Sequence, residues 1–180
     1  MSRILLEARS HSLAETGSLS DEIYRTFLSA HRLCLLLLDG DLGAGKTAWV
    51  HALGPVLGIH ENINSPTFNL LNVYENETRS PNACDLYHYD LYRLNDPGEL
   101  DHLDFLERWQ AWPGDAEPAR LHAIEWWQRA GQRLPVSVPR FRLQIEILPA
   151  QAGDLLDDYE EPRKFTLYAL DQSEAATIAK

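Results

Sequence analysis

The sequence predicts an α/β domain with a mixed, mostly parallel central sheet and helices on both faces. Three observations predict it. Leu33–Leu38 is an unbroken apolar run of strand length, as expected of a strand buried on both faces of a parallel sheet. A glycine-rich turn and a helical pattern follow it at once. Farther on, Phe141–Leu148 alternates apolar and polar residues, which is the period of a strand.

Arg3–Ala8 reads as a short first strand. Ser12 and Glu15 fit a capping box, in which each side chain satisfies a free backbone N–H at a helix start. Leu19, Ile23 and Phe27 recur every four residues with Leu28 beside them, so an amphipathic helix ends near His31. The helix after the glycine-rich turn runs from about Gly45 to Leu53. Gly54-Pro55 is expected to kink or end it, because proline lacks an N–H and crowds the preceding turn. Thr67–Tyr74 and Asp85–Leu91 alternate, and the turn formers of Glu75–Asn82 make them a hairpin-like pair. The spacing of Leu100, Leu103 and Leu106 places a helix in Glu99–Trp109. Trp112–Pro118 is a loop. Leu121–Ile124 is a short strand closed by Glu125, and Phe165–Leu170 is a late strand able to pair with Phe141–Leu148. The expected organisation is one domain over residues 1–170 and a frayed tail at 171–180.

Composition narrows the function. The chain carries 16 Lys and Arg against 27 Asp and Glu, a formal charge of −11. Gripping a nucleic-acid backbone needs a basic face, and docking on anionic lipid needs the same. Both are disfavoured. Ile4-Leu5-Leu6 is too short for a signal-peptide core, and Leu33–Leu38 falls far short of a membrane span. Cys34 and Cys84 lie far apart and form no C-x-x-C pair. A reduced protein of the cytoplasm, with no membrane association, is the expectation.

The segment Gly40-Asp-Leu-Gly-Ala-Gly45-Lys46-Thr47 fits G-x-x-x-x-G-K-[ST]. With this composition, the four fixed positions match by chance in about one sequence of this length in a thousand. The motif also follows a buried strand and opens a helix, as its chemistry requires. Glycines let the chain turn so that backbone N–H groups along Asp41, Leu42, Gly43, Ala44 and Gly45 face phosphate oxygens. The helix N-terminus adds N–H groups and partial positive charge. Lys46 would reach the β- and γ-phosphates, and the Thr47 hydroxyl would ligate Mg2+. The fold class is thereby sharpened to a single P-loop NTPase-type domain. The Asp41 carboxylate either faces away and bonds loop backbone, or contacts metal-bound water or a partner.

Hydrolysis also needs acidic residues for metal and water. Three segments can supply them. In Ser65-Pro66-Thr67-Phe68, Thr67 could sense the γ-phosphate. In His88-Tyr89-Asp90-Leu91-Tyr92-Arg93, a strand would put His88, Asp90 and Tyr92 on one face and Arg93 on the other. Glu125 stands at the carboxyl end of a strand, where parallel sheets gather ligands. His88 and Asp90 lack a third partner at zinc-ligand spacing. Trp126-Trp127 reads as packing or as a flank of the nucleotide.

Taken in order, these segments resemble one family, the bacterial TsaE ATPases of tRNA threonylcarbamoyladenosine biosynthesis. The resemblance runs through Glu15-Thr16, G-D-L-G-A-G-K-T at Gly40–Thr47, S-P-T-F at Ser65–Phe68, Tyr74, H-x-D-x-Y-R at His88–Arg93, and Glu125-Trp126. It covers roughly residues 10–148. It implies a small ATPase, with ATP and Mg2+ as cofactors, that supports turnover by two partner proteins, TsaB and TsaD. By matching positions it implies that Lys46 and Thr47 hold phosphates and Mg2+. Asp90 and Glu125 serve metal and water, Thr67 is a switch threonine, and Trp126 flanks the site. Which acid ligates Mg2+ stays open, and direct tRNA binding is disfavoured by the charge. Two departures stand out: Gly54-Pro55 should shorten or bend a helix the family continues, and Gln110–Arg120 is longer and more irregular. The alternatives are a small P-loop kinase, with Arg129 and Arg133 as thin lid candidates, or a non-catalytic ATP-dependent binding module. A GTPase would want N-K-x-D, and neither Lys164 nor Lys180 sits in one.

Overall fold

The six residues Leu33 to Leu38 divide their side chains between two cores. Cys34, Leu36 and Leu38 join one apolar cluster, while Leu33, Leu35 and Leu37 join the other. Each buried leucine contributes about 1.5–3 kcal/mol of transfer free energy, so this strand anchors both layers. The structure, a computed structural model, describes residues 2–150 and 161–171, and within them seven strands form one sheet. In chain order the strands are β1 (Arg3–Ser10), β2 (Leu33–Asp39), β3 (Leu71–Tyr74), β4 (Cys84–Asp90), β5 (Ala119–Glu125), β6 (Arg140–Ile147) and β7 (Arg163–Leu170). Their order across the sheet is β1-β7-β6-β2-β5-β4-β3. The four central strands β6, β2, β5 and β4 run parallel. The outer pairs β1–β7, β7–β6 and β3–β4 are antiparallel. The mixed sheet with parallel strands at its centre is as the sequence predicts.

One face carries α1 (Leu13–Ile23) and α2 (Lys46–Leu57), which pack on each other. Ser12 caps α1 by accepting the Glu15 N–H at 3.1 Å, while the Glu15 carboxylate takes the His11 N–H at 2.7 Å. A π-helical stretch, Tyr24–Leu28, carries the chain on to His31. The other face is covered by shorter pieces: 3-10 turns at Pro97–His102 and Trp127–Arg133, and α3 (Phe105–Arg108). Phe105, Trp109 and Tyr89 stack edge to face there. Among the described residues, no helix is long and apolar enough to cross a membrane.

Three expectations need correction. The α2 helix does not stop at Gly54-Pro55 but runs to Leu57 and ends on Gly58 in the left-handed conformation. Pro55 and His51 are both exposed, so the carbonyl deprived of its N–H partner faces water, where its loss costs little. Gly54 lets α2 pack closely on Ile63, whose Cδ1 lies 2.9 Å from where a Cβ would stand. Next, β3 begins at Leu71 rather than Thr67. Pro66 through Leu70 form a turn closed by the Leu70 N–H on the Pro66 carbonyl, with Leu70 at φ 64°. Finally, the helix expected over Glu99–Trp109 is split. Asp96 and Glu99 build their own capping box, and Leu103 adopts an extended conformation that ends the first turn. The irregular stretch Gln110–Arg120 is fastened by Arg32, which donates to the carbonyls of Pro81, Gly114 and Glu117. The expected tail at 171–180 lies outside the described residues except for Asp171.

Candidate active site

The site forms where parallel strands end. Register pairs Leu38 with Glu125, and Glu125 with Asp90, so the carboxyl ends of β2, β5 and β4 stand side by side. Residues in one register row share a face, and this row faces α2. β2 leads directly into the glycine-rich loop, which therefore starts beside both acids.

Gly40 is demanded by close approach: a Cβ would sit 2.5 Å from the Ile145 carbonyl oxygen on β6. Gly45, at φ 105°, turns the chain into α2 where a side chain would be strained. Open space surrounds the missing Cβ positions of Gly43 and Gly45, which leaves the concave side of the loop clear. Lys46 is nearly buried. Its Nζ donates to the carbonyls of Gly40 at 2.7 Å and Asp41 at 2.9 Å, and lies 4.7 Å from the centre of the Trp126 ring. The Asp41 side chain is exposed, and its carbonyl makes the loop contacts, accepting also from the Ala44 N–H.

The Thr47 hydroxyl donates to Glu125 Oε1 at 2.8 Å. Thr67 donates to Asp90 Oδ2, and its hydroxyl lies 2.7 Å from that of Ser65. Asp90 Oδ1 accepts the Tyr92 N–H at 3.0 Å, so both oxygens of Asp90 are engaged. Tyr74 steadies this loop from below, its hydroxyl accepting the Asn64 N–H at 2.9 Å. Asp90 and Glu125 are both buried. Lys46, Thr47, Thr67, Asp90, Glu125 and Trp126 line a single cavity of about 310 Å³ together with Leu42, Gly43 and Gly45. A second cavity of about 630 Å³ lies across Lys46 and Trp126, bounded by Asp39 to Asp41, Ala44, Gln128, Arg129 and the end of β6.

The pair Trp126-Trp127 divides its work. Trp126 takes a left-handed backbone, φ 55°, an unusual state for a bulky residue and one that clusters at functional sites. It turns its ring over Lys46 and toward Tyr92, at 5.1 Å, while Trp127 is buried in the core. Because β4 ends at Asp90, Tyr92 does not continue the shared face but stands exposed, and Arg93 lies over the exposed Phe68 ring. Of the two lid candidates, Arg133 pairs with Asp101 at 2.9 Å, and Arg129 donates to the Leu94 carbonyl at the border of the larger cavity.

Sequence reasoning passed over several contributors. Gln144 and Glu146 border the larger cavity because β6 lies parallel to β2, a register that local patterning does not carry, and Gln128 reaches it from the turn after β5. His88 was placed on the correct face but not in the site, and it bonds Glu125 Oε1 at 2.9 Å. Among the described residues, no group of three or more His, Cys, Asp or Glu side chains could hold a metal. Mg2+ needs no such cage, since one or two carboxylates with phosphate oxygens and water suffice. The oxygen donors of Thr47, Glu125 and Asp90 on one cavity fit that ion.

Comparisons with known proteins agree with this architecture. A family model described as threonylcarbamoyl adenosine biosynthesis protein TsaE matches residues 10–153. The tRNA threonylcarbamoyladenosine biosynthesis protein TsaE of Synechocystis sp. is 46% identical over 98 residues, covering 54% of this chain and 57% of that protein. The protein of the same name from Bacillus subtilis is 35% identical over 120 residues, covering 67% and 63%. The chain thus spans little more than half the length of the first curated relatives it matches. The crystal structure of Bacillus subtilis YdiB superposes with a TM-score of 0.62 at 25% identity, over 94% of this chain and 87% of that one. With a family model matching residues 10–153, the glycine-rich loop among them, the chain belongs to the TsaE family of tRNA threonylcarbamoyladenosine biosynthesis.

Proposed function

We propose that the chain binds Mg·ATP in the cavity beneath its glycine-rich loop and hydrolyses it to support turnover of the TsaB–TsaD machinery. The observation that carries this reading is the convergence of Lys46, Thr47, Asp90 and Glu125 on one cavity at the N-terminus of α2. The loop N–H groups and the helix end provide an anion site that needs no basic surface. This reconciles a net charge of −11 with a polyphosphate ligand. Lys46 exchanges its two backbone acceptors for phosphate oxygens. Thr47, whose hydroxyl bonds Glu125, would be a ligand to the metal. Glu125 has an oxygen to spare on the cavity and serves metal and water, while Asp90 fixes Thr67 close to the transferred phosphate. A bound Mg2+ would supply charge neutralisation for the β- and γ-phosphates. The larger cavity beyond Trp126 has room for the nucleoside.

The deciding experiment is ATP turnover by the protein alone and with TsaB–TsaD. Stimulation by the partners is expected, and equal rates would overturn their part in the reading. Lys46→Ala should weaken ADP binding about 10- to 100-fold, the worth of a charge-assisted contact, by calorimetric titration. Unchanged affinity in that variant removes Lys46 from the phosphate site.

A further inference from the structure

We propose that His88 is a positioning residue for Glu125, holding Oε1 of that carboxylate so that Oε2 stays turned to the phosphate cavity. The inference rests on the ATPase reading and assigns a residue which that reading does not use. His88 is fully buried on β4, two residues before Asp90 and on the same face. Its Nε2 lies 2.9 Å from Glu125 Oε1. A carboxylate oxygen only accepts, so Nε2 donates the proton of this contact. Nδ1 is itself buried and, among the described residues, has no hydrogen-bond partner. The ring is therefore committed to a single polar contact, and that contact is Glu125.

Glu125 Oε1 receives two donors, Thr47 Oγ1 at 2.8 Å and His88 Nε2 at 2.9 Å. No hydrogen bond from the described residues reaches Oε2, although Glu125 lines the cavity. The two donors have different fates. Thr47 lies in the first turn of α2 and would be a ligand to the metal of a bound Mg·ATP, which would take its proton from Oε1. His88 has no second acceptor among the described residues and would stay. In the loaded site it is then the one hydrogen bond from the described residues left on Oε1, and without it the carboxylate is free to rotate.

Two measurements test this. In the nucleotide-free protein, nitrogen-edited NMR should find His88 as the Nε2-protonated tautomer, with a downfield Nε2–H resonance that moves or vanishes in Glu125→Ala. In single-turnover hydrolysis with TsaB–TsaD, His88→Asn, whose donor is too short to reach, should slow the step roughly 10- to 100-fold. His88→Gln, whose amide reaches about as far as Nε2, should recover most of that loss, and Mg-free ADP affinity should be unchanged in both. Normal turnover in His88→Asn overturns the proposal. Equal loss in both variants, with normal thermal unfolding, makes His88 a packing residue and overturns it too. If the wild type fails to hydrolyse ATP, the ATPase reading falls, while the Nε2–H resonance still decides whether His88 holds Glu125.

Discussion

Two histidines on neighbouring strands are equally buried and chemically opposite. His88 on β4 and His122 on β5 are both fully buried, and register sets His88 beside Ala123 and His122 beside Tyr87. That one-residue offset sends them to opposite faces of the sheet. His88 turns toward α2 and bonds a carboxylate that borders the cavity under the glycine-rich loop. His122 turns into the aromatic layer, stacked on Tyr87 at 4.6 Å with Nδ1 3.0 Å from the Tyr89 hydroxyl. Burial pulls the His122 pKa down to about 3, with Arg120 and Arg108 adding to the effect. Burial alone thus does not tell a histidine that faces the cavity from one that packs the core. The partner does.

The contrast is broken first at Glu125. Glu125→Gln keeps the shape and the bond to Thr47 but removes the charge. Turnover with the partners should fall about 10²- to 10⁴-fold, the usual worth of a positioned acid or base, while the denaturant midpoint moves little. Normal turnover would strip the α2 face of its catalytic role. The mirror experiment is Trp109→Ala in the aromatic layer. Trp109 is fully buried against Tyr89 and Phe105, so truncation should cost about 3–5 kcal/mol in urea unfolding. The folded fraction should still bind ADP with unchanged affinity. A large affinity loss would mean that the two faces are coupled.

How much of this was legible in the sequence differs by residue. β2 and the phosphate loop were readable because both signals are local: six apolar residues in a row, then glycines at fixed spacing before Lys46-Thr47. The split between Trp126 and Trp127 was not, because it depends on a left-handed backbone at a residue type that rarely adopts one. The passage of α2 through Gly54-Pro55 was hidden because proline's cost depends on whether the stranded carbonyl faces water, and sequence does not reveal that face. His88 and Glu125 are 37 positions apart, and only the parallel register of β4 on β5 brings them together.

The smallest expected effect probes the structural histidine. A folded-state pKa of about 3, against about 6.5 for an unperturbed imidazole, means that the unfolded chain binds the extra proton between those values. The contribution of His122 to stability is therefore complete above about pH 6.5 and is lost as pH falls toward 3, by up to about 1.4 kcal/mol per pH unit. Carboxylates held low by ion pairs, such as Glu7 beside Lys164 and Asp101 beside Arg133, act at more acidic pH, so the interval from pH 7 to 5 isolates the imidazole. His122→Phe keeps an aromatic ring in the layer but cannot take up a proton. The stability difference between wild type and variant, from urea unfolding, should shift by about 2 kcal/mol against the wild type between pH 7 and pH 5. A flat difference across that interval would show that His122 takes up its proton as readily folded as unfolded, and the contrast with His88 would then rest on geometry alone.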